Sequence, residues 1–73
     1  MSGPPIKRSL TLQGHRTSVS LEDEFWNAFR EIAQSKSIPI NVLASEIDAA
    51  RNPETGLASA IRVFVLNWYW SKN

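Results

Sequence analysis

The sequence predicts an α+β fold: one or two short β-strands followed by three α-helices, doubled into an intertwined homodimer. Three observations lead there. Apolar residues alternate with polar ones up to Leu21 and recur at helical spacing after it. Two turn clusters, Gln34-Ser35-Lys36-Ser37 and Asn52-Pro53-Glu54-Thr55-Gly56, cut the helical stretch into three segments. Finally, 73 residues with no cysteine make a small domain without disulfide support, yet 42% of them are hydrophobic, with three Trp, three Phe and one Tyr. A chain this short buries only ~60% of the surface its unfolded form exposes, so a partner chain is the expected source of the missing stability. An obligate dimer is expected.

Residues 1–6 read as a flexible leader, 7–70 as a single domain and 71–73 as a tail. In the leader, Gly3-Pro4-Pro5 blocks regular structure. Arg8 to Gln13 alternates, with Leu10 and Leu12 on one face. Gln13-Gly14-His15 fits a turn, Gly14 supplying a positive φ without steric cost. Arg16 to Leu21 alternates again, with Thr17, Val19 and Leu21 facing one way and Arg16, Ser18 and Ser20 the other. The two runs fit a hairpin, and they fit pairing with another chain equally well.

The first helix is carried by Phe25, Phe29, Ile32 and Ala33, one stripe at i, i+4, i+7 and i+8. Ser20 or Glu22 is placed to cap it, and Glu22, Asp23 and Glu24 suit the positive end of its dipole. The second helix starts near Pro39, whose fixed φ suits a first helical position. Ile40, Leu43, Ala44 and Ile47 form its stripe, and Asn52-Pro53 ends it. The third presents Leu57, Ile61, Phe64, Val65 and Trp68 on one face, but Val63, Leu66, Tyr69 and Trp70 widen its apolar surface beyond one stripe.

The net charge of +1 conceals an asymmetry: residues 1–21 hold Lys7, Arg8, His15 and Arg16 and no acid, and Glu22, Asp23 and Glu24 follow at once. Without cysteine and with one histidine, thiolate chemistry and a Cys/His zinc site are excluded. There is no G-x-S-x-G elbow, P-loop or dinucleotide fingerprint. No enzyme activity, cofactor or metal is therefore expected. Residues 1–20 lack the apolar stretch of a signal peptide, and the longest apolar run, Val63 to Leu66, is far below the ~20 residues of a membrane span. A cytoplasmic protein without membrane contact is expected.

A lone six-residue strand cannot satisfy its ladder, and small helices cannot enclose a core alone. Pairing the strand with its twin from a second chain repairs both. The polar side chains then form a narrow ridge of the width that fits the DNA major groove, where Arg, Ser and Thr reach base edges.

The segment from Arg16 to Ala33, and above all His15-Arg-Thr-Ser-Val-Ser-Leu-Glu-Asp, resembles the ribbon-helix-helix family of the Arc and MetJ repressors. More narrowly, Lys7 to Trp68 resembles a bacterial subgroup with an extra N-terminal strand and an extra C-terminal helix. The resemblance implies a sequence-specific double-stranded DNA-binding protein, a small transcriptional regulator such as a repressor. It implies Arg16, Ser18 and Ser20 as base readers and Val19, Leu21, Phe25, Phe29, Leu43 and Ile47 as a core shared by both chains. The family's phosphate contact at the start of the second helix falls on Ile38-Pro39-Ile40-Asn41. There Pro39 removes one N–H donor and Asn41 replaces part of the contact. The inter-helix turn lacks the family's usual glycine. If the upstream strand lies beside Arg16–Leu21 in each chain, the dimer's sheet has four strands, crowded for a groove, and DNA binding then needs the arm to fold aside or to track the DNA backbone with Lys7 and Arg8.

A reading from another class is a protein-interaction or dimerisation module that uses the same fold without DNA. Trp68, Tyr69 and Trp70 are its candidate docking surface, and packing of Trp68 into the core is the plainer account of that ring.

Overall fold

The computed structural model describes residues 3–72; the first two residues of the expected leader and the last of the expected tail lie outside it. Five elements follow one another: β1 (Ile6–Leu12), β2 (His15–Leu21), α1 (Asp23–Ser35), α2 (Ile40–Ala50) and α3 (Leu57–Trp70). The fold is α+β, an antiparallel hairpin backed by three helices. Ile6 belongs to β1 rather than to a leader, because it pairs with Leu21 at the open end of the hairpin.

The two strands pair within one chain. Gln13 (φ 51°) and Gly14 (φ 83°) form a two-residue turn with both centres left-handed. That geometry matches the twist of the strands it joins and favours glycine at its second position. The turn fixes the register: Thr11 stands opposite Arg16, Ser9 opposite Ser18 and Lys7 opposite Ser20. Strand alternation then sends Leu10, Val19 and Leu21 into the core.

Helix α1 starts after Glu22, whose side chain makes no capping hydrogen bond. Asp23 and Glu24 in its first turn complement the dipole. The carboxylate of Glu22 reaches elsewhere, accepting from Arg62 Nε and Nη2 of α3 at 3.1 and 3.0 Å. Its pKa is lowered, first by a hydrogen bond to its own backbone and second by Arg62.

The end of α1 explains the missing glycine. Ile38 N–H donates to Ala33 O at 3.1 Å, and Ser37 N–H donates to Gln34 O at 3.0 Å. This is the double closure that normally places glycine in the left-handed position. Here Ser37 takes that position with φ 58°, and Ile38 packs on the core behind it. A side chain in this region costs roughly 1–2 kcal/mol, partly offset because glycine is freer in the unfolded chain. Ser37→Gly should therefore stabilise the protein by a net ~0.5–1 kcal/mol, read from chemical denaturation midpoints.

Pro39 precedes α2 as its capping residue, one position earlier than expected, and its carbonyl accepts from the N–H groups of Val42 and Leu43. Proline outside the helix removes none of the helix's own donors, so the first-turn N–H groups from Ile40 onward are intact.

Phe29, Leu21, Ile32, Leu43 and Ile61 are the largest fully buried side chains. Of the six residues expected in a shared core, Val19, Leu21, Phe29, Leu43 and Ile47 are buried by this chain's own elements, while Phe25 is half-buried at the margin. Their burial does not require a second chain, because β1 closes one side of the core and α3 another. Among the described residues no helix is long and apolar enough to cross a membrane.

Candidate nucleic-acid interface

Alternation divides the hairpin into two faces of opposite character. The inner face carries Arg8, Leu10, Leu12, Val19 and Leu21 toward the helices. The outer face carries Lys7, Ser9 and Thr11 from β1 and Arg16, Ser18 and Ser20 from β2, all exposed. Every outward side chain is polar, and both charged ones are cationic.

The three expected base readers therefore share one surface, as does Lys7. Ser9 and Thr11 join them and were not singled out by sequence reasoning. Their direction follows from alternation, but their place beside Ser18 and Arg16 depends on the cross-strand register.

Arg8 heads the other way. Its Nη2 donates to Asp23 Oδ1 and to Leu21 O (3.2 Å), and its guanidinium lies 5.4 Å from the centre of the Trp26 ring. Only 15% of the side chain is exposed. These contacts tie β1 to the start of α1, and the cation is turned from the outer face.

Asn41, in the first turn of α2, accepts the Thr11 N–H on its Oδ1 at 3.0 Å. The turn end of β1 and the start of α2 are thereby held side by side, with Thr11 next to Asn41 and Arg16 on the far side of β1 from it. No acidic residue occupies this first turn of α2, so its unpaired N–H groups face no competing carboxylate.

The Thr11 bond also identifies the free edges. An N–H donating to α2 points away from β2, and antiparallel pairs alternate. The backbone groups of Lys7, Ser9 and Thr11 thus line one edge of the hairpin, and those of Arg16, Ser18 and Ser20 line the other. On the β2 edge, Ser20 O accepts from Arg62 Nη2 at 3.1 Å.

The aromatic cluster divides as well. Trp68 is half-buried against Phe64 and flanked by Lys36 and Lys72, whose Nζ atoms lie 5.6 and 4.6 Å from its ring centre. Tyr69 and Trp70 are exposed.

A strand hairpin with an all-polar outer face, followed by two amphipathic helices and a third, is matched by one family model, the ribbon-helix-helix domain, over residues 5–69. The chain belongs to the ribbon-helix-helix family. Ribbon-helix-helix domains generally bind DNA as transcription regulators, typically as dimers, and the fold is not an enzymatic one. Neither the curated proteins nor the solved structures contain a match. In this ribbon-helix-helix protein the match takes in both strands and all three helices but the last residue of α3.

Proposed function

We propose that this ribbon-helix-helix protein is a bacterial transcriptional repressor of the subgroup with an added strand and helix, working in the cytoplasm as a homodimer. In this reading it binds double-stranded DNA sequence-specifically by laying the outer face of its hairpin in the major groove. The supporting observation is the segregation of side chains on that hairpin: six polar residues outward, two of them cationic, none acidic. A two-stranded ribbon is the width the major groove admits, and here one chain supplies both strands. Arg16 carries the fork that matches guanine, Ser18 and Ser20 read adjacent edges, and Lys7 contacts phosphate. Asn41 and the first-turn N–H groups of α2, at the β1 edge of the hairpin, offer donors to a second phosphate. Arg8 serves as the strut that holds β1 to α1.

Selection from a pool of random duplexes tests the reading, with salt titrations of the winning site. Enrichment of a two-fold-related site is expected, and Lys7→Ala should weaken all duplexes alike while flattening the slope of log affinity against log salt by ~0.9. Failure to enrich any duplex, with binding at physiological salt no tighter than ~10⁻⁴ M, overturns it.

A further inference from the structure

The outward side chains of the hairpin do not all offer the same chemistry. Ser9, Ser18 and Ser20 end in hydroxyls and Lys7 in an ammonium. Arg16 alone carries a planar fork of donors, and Thr11 alone carries a methyl group beside its hydroxyl. These two stand directly opposite each other in the register. Thr11 turns its N–H away from β2, to Asn41 Oδ1 at 3.0 Å, so the pair exchanges no backbone hydrogen bonds. Pairs of that kind bring the two backbones to ~4.5 Å and their side chains closest together. Neither Lys7 opposite Ser20 nor Ser9 opposite Ser18 sets a fork beside a methyl.

Both members of the pair are fixed at the backbone and open at the tip. The left-handed turn at Gln13 and Gly14 closes the hairpin one pair away, and the bond to Asn41 anchors Thr11 to α2. That bond uses only the backbone of Thr11, whose side chain is exposed. Among the described residues Arg8, Arg51 and Arg62 each pair with a carboxylate, and Arg16 pairs with none. Its donors are open to a group that presents two acceptors.

The major-groove edge of guanine presents two such acceptors to an arginine, and thymine offers a methyl group on which a threonine methyl packs. Neighbouring base pairs lie ~3.4 Å apart, close to the spacing of two directly opposed side chains. A fork and a methyl side by side therefore fit two adjoining base pairs. We infer that Thr11 is a second specificity-determining residue, reading the thymine methyl of an A·T pair directly beside the G·C pair that Arg16 reads. The inference rests on the DNA reading proposed above and narrows it. Each half-site then holds a G·C pair with an A·T neighbour, one read from β2 and the other from β1.

Duplexes enriched by the full chain supply the probe, and the guanine is located as the base whose replacement no longer matters in Arg16→Ala. Replacing the adjoining thymine by uracil removes only its methyl group. Wild-type affinity should then fall about fourfold, the worth of one buried methyl. Thr11→Ser deletes the threonine methyl and keeps the hydroxyl and the backbone bond to Asn41. It should bind the thymine duplex about fourfold less tightly and lose nothing further to uracil, because the two changes remove the same contact. Circular dichroism verifies folding. If Thr11→Ser does not fold, the uracil duplex with wild-type protein decides, since no other outward side chain of the hairpin carries a methyl. Uracil bound as tightly as thymine overturns the inference, as does an equal loss to uracil in wild type and Thr11→Ser. An enriched site with no Arg16-dependent guanine, or with no A·T pair beside it, overturns it too. In each of these cases an enriched duplex still stands, and the DNA reading with it. A chain that enriches no duplex overturns that reading and this inference together.

Discussion

Phe29→Ala is expected to lower the free energy of unfolding by about 3–5 kcal/mol. The ring is completely buried, on the inner stripe of α1, with the Trp26 ring 6.3 Å away between centroids. Truncation removes the transfer free energy of the ring and leaves a cavity that the hairpin and the two other helices can fill only by shifting. Small domains have roughly 5–15 kcal/mol in all, so the variant should melt far earlier, or not fold at all at low protein concentration. Denaturant titration of wild type and variant measures the loss. A value below ~1 kcal/mol is what a surface substitution gives and would mean that α1 turns another face inward.

Arg16→Ala should change which site is preferred, at a cost of ~1–3 kcal/mol at one base pair in each half-site. The arginine stands exposed on the outer face, opposite Thr11, at the turn end of the hairpin. A guanidinium fork pairs with both acceptors on a guanine edge, and alanine offers neither donor. The loss should be base-specific, because contacts to bases discriminate while contacts to phosphate position. Comparing the selected site with single-base variants, for wild type and Arg16→Ala, measures it. An equal loss across all duplexes would assign Arg16 to phosphate instead.

Much of the architecture was legible because hydrophobic period depends on backbone geometry alone. The change from alternation to helical spacing after Leu21 located the strands and α1, and Asn52-Pro53 located the end of α2. Pairing partners were not legible, since a strand's sequence does not say which strand it meets. The turn resolved it, through left-handed Gln13 and Gly14. Arg8 shows the same limit. The sequence reading set it beside Lys7 on the DNA backbone although it shares the parity of Leu10 and Leu12, and only the fold brings Asp23 and Trp26 around it. Ser37 left no signal at all, since nothing in a serine announces a left-handed conformation. Of the candidate site, the β2 half was readable from its alternation and the β1 half, Ser9 and Thr11, waited on the register.

The core closed by one chain's own elements separates two events that an intertwined dimer would fuse. Folding becomes unimolecular and can finish on a single polypeptide as it leaves the ribosome, while assembly becomes a later bimolecular step. A dimer assembled from chains that are already folded would trade partners without crossing the barrier to unfolding, so its subunit exchange would follow the lifetime of the interface. The number of assembled molecules tracks the square of the free-chain concentration, which makes occupancy of a two-fold site steeply sensitive to expression level without any added ligand.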